Sequence, residues 1–210
     1  MFQQNICIAS GVPERQQGGN IMNSKTKKMV GIGLFTAIVV VLQMLGGGIK
    51  IGTMFSISLV LVPIVVGAAV YGWQAGGWLG LAFGVAVLLT GDAAAFMAVD
   101  PLATILVVLV KGIACGLVSG LVFTAFKRTN TLVAVILAAV ACPIANTGVF
   151  LLGCQFFFLE TVTQWAAAFG YANAGAYMFL GLAGINFIIE LAVNILLAPA
   201  ITRLIAYAKK

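Results

Sequence analysis

Two ionisable residues, Lys111 and Glu190, lie deep inside long apolar stretches of this sequence. Each would cost roughly 2.5–3.5 kcal/mol if it faced lipid at the centre of a membrane-spanning helix. Both side chains are therefore expected to face a protein interior, a cavity or each other. The residues alone leave two interpretations open: a neutral buried ion pair that joins two helices, or a site in which these charges meet a ligand.

Amide side chains accompany these charges. Asn186, Glu190 and Asn194 are spaced four residues apart, so they form one polar stripe along a helix. Asn146 and Gln43 add amides to two other apolar stretches. A single amide in a membrane helix commonly bonds to a neighbouring helix, whereas the combined set favours a shared polar cavity that binds a small solute.

The connections between the apolar stretches predict a cover for this cavity. A Gly-rich stretch, 46–52, precedes Phe55, and the aromatic stretch 150–158 is followed by Trp165. An ordinary place at the membrane interface is the alternative for each of these aromatic side chains. The predicted substrate-binding set is Lys111, Glu190, Asn186, Asn194, Asn146, Gln43, Phe55 and Trp165.

No enzymatic or metal-binding motif is recognisable in the sequence. Histidine, the commonest metal ligand and the usual general base near neutral pH, is absent. The four cysteines form no CxxC pair, and three of them lie in apolar segments, which is typical of packing residues. Nucleophile-elbow and P-loop motifs are absent too. We therefore predict a protein without catalytic activity, bound metal or cofactor.

The composition indicates an all-α integral membrane protein. Hydrophobic residues make up 62% of the 210 residues and charged residues only 8%, with a mean hydropathy of +1.16. Soluble domains are about one quarter charged, so this chain could not cover a water-facing surface. The net charge of +6 does not indicate nucleic-acid binding, because the basic residues flank the apolar stretches, as membrane topology signals do.

Six apolar stretches can each cross a membrane, which predicts a bundle of six transmembrane helices. Lys25, Lys27 and Lys28 precede the first stretch and place the N-terminus in the cytoplasm. Six crossings return the C-terminus to the same side, in agreement with Lys209 and Lys210. The predicted spans are about 29–46, 55–72, 74–90, 101–126, 131–158 and 176–206.

Glycines recur every four residues in two neighbouring spans. Small residues at this spacing let membrane helices approach each other closely. We expect the two stripes to pack inside the protein, with a dimerisation face as the alternative. They are Gly76, Gly80 and Gly84 in the third span, and Gly112, Gly116 and Gly120 in the fourth.

Residues 1–21 are unlike the rest of the chain. They are polar and show no periodicity, and Gln17-Gly18-Gly19 can be encoded by a strong bacterial ribosome-binding sequence shortly before Met22. We expect translation to begin at Met22. Residues 1–21 are then a non-native or disordered extension, and 22–210 form the six-helix membrane domain.

The pattern of these spans resembles a known family. The stretch 57–84 has an apolar span with Pro63, then Gly67-Ala68, Tyr71-Gly72, a short turn and a Gly-spaced helix. The stretch 99–112 continues with Asp100-Pro101 and reaches Lys111-Gly112. These features resemble the substrate-binding S components of energy-coupling-factor (ECF) vitamin transporters, and the second stretch is most similar to the pantothenate-type members.

The resemblance implies a function in uptake. Such a subunit, in a bacterial cytoplasmic membrane, captures a water-soluble vitamin or precursor from outside; pantothenate is the first candidate, and riboflavin or folate follow. It works with an ECF transmembrane coupling protein and two ATPase subunits. Small residues on the first span, here Gly33 and Ala37, are implied to dock the coupling protein. The alternative is a small membrane scaffold or assembly protein with a structural ion pair.

Overall fold

The computed structural model of the chain describes residues 24–46, 50–51, 55–56 and 59–208. The expected extension 1–21 and the expected start at Met22 lie outside these residues. In chain order the helices are α1 (Ser24–Gly46), α2 (Leu61–Tyr71), α3 (Trp73–Thr90), α4 (Ala94–Met97), α5 (Pro101–Phe126), α6 (Thr131–Phe157), α7 (Leu159–Ala168), α8 (Ala174–Ala176) and α9 (Gly184–Ala208). A π-helical stretch, Tyr177–Ala183, joins α8 to α9, and the strands β1 (Lys50–Ile51) and β2 (Phe55–Ser56) follow α1.

The predicted all-α membrane fold is confirmed. Within the described residues, five helices are long and apolar enough to cross a membrane: α1, α3, α5, α6 and most of α9. Large apolar side chains such as Leu89, Leu102 and Leu196 stand exposed on the outside of the bundle. In water such surfaces would drive association, whereas lipid is their natural solvent.

Two predicted spans differ from the observed elements. The second was expected over 55–72, but α2 begins at Leu61 and has 11 residues, a rise of about 16 Å. Phe55 and Ser56 lie instead in β2, which pairs antiparallel with β1. The sixth was expected as one helix over 176–206, but its first part is the π-helical stretch. Hydropathy measures apolar length and does not distinguish these backbone forms.

Contacts between the helices show in which direction each helix crosses the bundle. Gly31, near the start of α1, lies against Tyr71 at the end of α2. Gly153, late in α6, lies against Val107, early in α5. Neighbouring long helices in the chain therefore run in opposite directions. With α1 leaving the cytoplasm, as its basic start indicates, the connection 91–100 and helix α7 lie at the outer end of the bundle.

The two glycine stripes pack against each other inside the described bundle, as predicted. A Cβ atom at Gly80 would overlap the carbonyl of Gly112, and a Cβ at Gly116 would overlap the carbonyl of Gly76. Helices α3 and α5 therefore touch backbone to backbone, which requires residues without side chains at these crossings. This contact aligns the outer halves of α3 and α5, where the polar residues lie.

The outer connection between α3 and α5 is held by local hydrogen bonds. Gly91 ends α3 in the left-handed region with φ 76°, a conformation that glycine adopts without strain. Asp100 caps α5 by accepting a hydrogen bond from the backbone N–H of Ala103 at 3.0 Å. Pro101 occupies the first helical position, where its missing N–H is not needed. Residues 91–100 therefore form an ordered roof above the ends of α3 and α5.

Candidate substrate-binding site

A cavity of about 160 Å³ lies between the outer halves of α1, α3, α5, α6 and α9. A cavity that holds a single water has a volume of roughly 10–15 Å³ on the same scale. This cavity is several times larger, so it has room for a small organic molecule in place of several waters. Apolar and aromatic side chains form much of its wall. The polar side chains that line it are Gln43, Asp92, Thr104, Lys111, Asn146, Thr147, Asn186 and Glu190.

Lys111 presents its ammonium group to this cavity from α5. Its Nζ lies 5.9 Å from the ring centroid of Phe83 and 5.1 Å from that of Phe150. Both distances are in the range of cation–π attraction. Because an aromatic face accepts no conventional hydrogen bond, the two rings hold the ammonium in place and leave its N–H donors available to a ligand.

Glu190 faces the same cavity from α9, and only 4% of its surface is exposed. Its charge interacts with that of Lys111. Among the described residues, however, no ion pair joins the two side chains, and none donates a hydrogen bond to the Glu190 carboxylate. The two opposite charges therefore face one space without direct contact, and a ligand can lie between them.

Two amide oxygens near the cavity lack a donor. Within the described protein, the side-chain oxygens of Asn146 and Asn186 have no hydrogen-bond partner, and both residues line the cavity. An acceptor buried without a partner costs about 1–3 kcal/mol. Native structures tolerate few such groups, so these oxygens are expected to accept hydrogen bonds from water or from a ligand.

Gln43 joins the end of α1 to the roof of the cavity. Its Nε2 donates a hydrogen bond to the Asp92 carboxylate and lies 3.4 Å from Thr90 Oγ1. The Thr90 hydroxyl also lies 3.3 Å from the same carboxylate oxygen. Asp92 is thus a wall residue that neighbouring side chains hold by hydrogen bonds, whereas Lys111 and Glu190 have no such hydrogen bond among the described residues.

Two predicted site residues, Asn194 and Trp165, do not line the cavity. Asn194 is fully buried one turn beyond Glu190, and its Nδ2 donates to the Glu190 backbone carbonyl at 2.8 Å. Trp165 of α7 packs edge-on against Phe96, with ring centroids 5.2 Å apart. It therefore supports a wall residue from behind. The side chain of Phe55 lies outside the described part of the chain. Ligand contact by any predicted residue stays a prediction.

An aromatic cluster closes the outer side of the cavity. Phe96, in α4, makes edge-on contacts with Phe150, Phe158 and Trp165, with centroid separations between 5.1 and 5.6 Å. Such pairs contribute about 0.5–1.5 kcal/mol each beyond their buried area. The cluster joins the roof to α6 and α7, so a ligand that enters from outside has to displace or pass these rings.

Sequence reasoning missed several wall residues. Asp92, Thr104 and Phe83 line the cavity but are not in the predicted substrate-binding set. Thr104 lies two turns before Lys111 in α5, on the same helix face, so that spacing could have found it. Phe83 and Phe96 have no sequence signal of their own, because aromatic residues occur throughout membrane helices.

No group of three or more metal-ligating side chains occurs in the described ranges. The cavity instead combines one ammonium, two carboxylates, amides and aromatic rings. Such a combination binds an organic solute by charge, hydrogen bonding and apolar contact.

A helical membrane bundle with a polar, partly aromatic cavity near one membrane face is the architecture of a solute-binding membrane protein. The family profile described as "ECF transporter, substrate-specific component" matches residues 27–202, and the chain belongs to this family. It is therefore the substrate-binding subunit of an ECF transporter, and the interpretation as a scaffold protein is not needed.

The fold has a known counterpart. A solved structure of ThiT from Listeria monocytogenes superposes with a TM-score of 0.64 over 86% of this chain and 96% of that chain, at 20% sequence identity. At this identity the likeness shows the fold alone. No curated protein matches the sequence.

Proposed function

We propose that this subunit captures an anionic, water-soluble vitamin or precursor from outside the cell, with pantothenate as the first candidate and riboflavin or folate next. The chain itself performs no catalytic step. Pantothenate carries a carboxylate at one end and two hydroxyl groups at the other, with an amide between them. This distribution of groups matches a cavity with an ammonium at one position and hydrogen-bond acceptors elsewhere.

The single observation that carries the proposal is the environment of Lys111. Its ammonium faces the cavity between two phenyl rings, and no ion pair reaches it within the described residues. A ligand carboxylate would complete this environment with charge-assisted hydrogen bonds, which are about twice as strong as neutral ones. The donorless oxygens of Asn146 and Asn186 would accept hydrogen bonds from the hydroxyl or amide hydrogens of the same ligand.

Mass spectrometry of small molecules that co-purify with the protein tests the proposal directly. Ligand-depleted protein is then titrated with pantothenate, riboflavin and folate, and with thiamine as a vitamin of the opposite charge. We expect pantothenate to bind most tightly, because it matches the single ammonium in size and charge. Preferential binding of thiamine, or of no vitamin in the panel, would contradict the proposal.

We further propose that the protein works in a bacterial cytoplasmic membrane with an ECF transmembrane coupling protein and two ATPase subunits. Gly33 and Ala37 of α1 are exposed on the outside of the described bundle. A Cβ at Gly33 would meet no described atom within 4 Å. A smooth, accessible strip of this kind suits close packing against a partner helix.

Tryptophan at Gly33 or Ala37 is expected to prevent this docking. The bulky ring would hold a partner helix away from α1, so co-purification with the coupling protein should fall by about tenfold or more, a loss of at least about 1.4 kcal/mol. Vitamin affinity should be unchanged, because neither residue lines the cavity. Leu196→Trp, at an exposed position of α9, is the matched control. Undiminished co-purification of both α1 variants would remove α1 from the docking surface.

A further inference from the structure

The charges around the cavity do not balance once an anion has bound. Lys111 and Glu190 are the basic and the acidic group of the inner wall. Their charges attract each other across the space. A ligand carboxylate that binds to Lys111 takes over this attraction. The Glu190 carboxylate is then left with a second negative charge nearby and no cation of its own, in surroundings where charge is poorly solvated.

Asp92 differs from Glu190 in how its charge is held. It accepts a hydrogen bond from Gln43 Nε2, lies 3.3 Å from the Thr90 hydroxyl and is partly exposed at the outer end of the bundle. Neighbouring side chains therefore already engage the Asp92 carboxylate. Glu190 has no such donor among the described residues and is 4% exposed. Of the two carboxyl groups that line the cavity, Glu190 is therefore the one that is buried without a hydrogen-bond donor.

Hydrogen-bond acceptors without a donor surround Glu190. The side-chain oxygens of Asn146, Asn186 and Asn194 all lack a donor within the described structure. Asn186 and Asn194 lie one helical turn on either side of Glu190, and Asn146 shares its cavity. A carboxylate would be a fourth acceptor among these oxygens. A neutral carboxyl group supplies one O–H donor, which a single one of them can accept, so the others remain available to the ligand.

From this geometry we infer that the subunit binds its anionic vitamin together with one proton, and that the Glu190 carboxylate takes up this proton. The inference rests on the proposed function, since it requires an anionic ligand at Lys111. The charges balance: one anion and one proton enter, so the net charge of the cavity is the same before and after binding. No proton transfer from another protein group is needed, because water or buffer supplies the proton.

The other titratable groups that surround Glu190 offer no better acceptor. Helix α5 presents Lys111 and Cys115, and α6 presents Cys142 and Cys154. The roof adds Asp92. A thiol group carries one proton and has no place for a second. Lys111 has to remain charged in order to hold the ligand carboxylate. Helix α2 contributes only Tyr71, at the cytoplasmic end.

Calorimetric titration of the purified full-length protein with pantothenate tests this inference. Measurements at a mildly alkaline pH, in buffers with different ionisation enthalpies, give the number of protons taken up, and we expect up to about one per ligand. In the alkaline range affinity should fall with rising pH, by up to about tenfold per pH unit. Binding without proton uptake would overturn the inference and leave the proposed function intact.

The variant Glu190→Gln identifies the proton acceptor. Its amide keeps the shape of a neutral carboxyl group but cannot titrate, so we expect proton uptake near zero and an affinity that no longer varies with pH. Glu160→Gln, at an exposed carboxylate of α7 that does not line the cavity, is the matched control and should retain the proton uptake of the unmodified protein. Uptake of about one proton by Glu190→Gln would show that another group is the acceptor.

Two further outcomes separate the possible failures. If affinity depends on sodium concentration in place of pH, a metal cation balances the charge and the inference is wrong. If no anionic vitamin binds at any pH tested, the proposed function fails, and the inference fails with it. The unmodified protein is sufficient for both measurements, so neither result depends on whether a variant folds.

Discussion

Replacement of Lys111 by methionine is expected to lower the affinity for pantothenate by about 100-fold or more. The change leaves the ligand carboxylate without its cation, and removal of one partner of a buried charge pair typically costs about 3–5 kcal/mol. Each 1.4 kcal/mol is about a tenfold change in affinity, so a 100-fold loss, about 2.8 kcal/mol, lies just below this range and is a lower bound. Calorimetry or tryptophan fluorescence of the ligand-depleted protein measures the effect.

Methionine is chosen because it separates charge from packing. Its unbranched apolar chain can fill the space between Phe83 and Phe150, so the aromatic wall should persist. Lys127→Met makes the same chemical change at the exposed end of α5 and should leave affinity as it is. Wild-type affinity in Lys111→Met would mean that the ammonium has a structural role, and the anionic ligand class would have to be abandoned.

A methyl group at Gly80 is expected to disrupt the fold of the bundle. In Gly80→Ala the added Cβ overlaps the carbonyl of Gly112, and a backbone group cannot rotate away as a side chain can. Overpacking commonly costs about 1–3 kcal/mol, and a backbone-to-backbone contact belongs at the upper end. We expect a clearly lower melting temperature in detergent and a smaller monodisperse fraction after purification.

The matched control is Gly148→Ala in α6. A Cβ at this position meets no described atom within 4 Å, and alanine is the better helix former by roughly 0.5–1 kcal/mol. Gly148→Ala should therefore be as stable as the unmodified protein or slightly more stable. The two Gly→Ala substitutions are thus expected to have opposite signs. Equal melting temperatures for the two variants would mean that α3 and α5 do not pack through their glycines.

Sequence reasoning found much of the cavity wall because a polar side chain that faces lipid costs free energy. Lys111, Glu190 and Asn146 are conspicuous because their neighbours in the chain are almost all apolar, and each has to turn inward. The structure brings all three to one cavity, together with Gln43 and Asn186. Asn194 lies on the same helix face as Glu190 but outside the cavity. Helical spacing predicts which residues share a face, but it does not predict how far along that face a cavity extends.

The bundle itself follows from periodicity and length. The fourth span was predicted over 101–126, and α5 has these bounds, since Asp100 and Pro101 are strong start signals. The second span was placed too early, because the apolar residues around Phe55 carry no mark that separates a strand from a helix.

The sequence by itself determined that this chain lies in a membrane, how many times it crosses and which polar residues turn inward. These properties depend on the transfer of each segment into lipid, which is local to the segment and can be summed along the chain. Only the tertiary structure decided that Lys111 and Glu190 face one cavity without touching, that two phenyl rings hold the ammonium, and that Asp92 is engaged by Gln43. Distances between helices depend on how the side chains of two helices pack against each other. The sequence of one segment alone does not determine this packing.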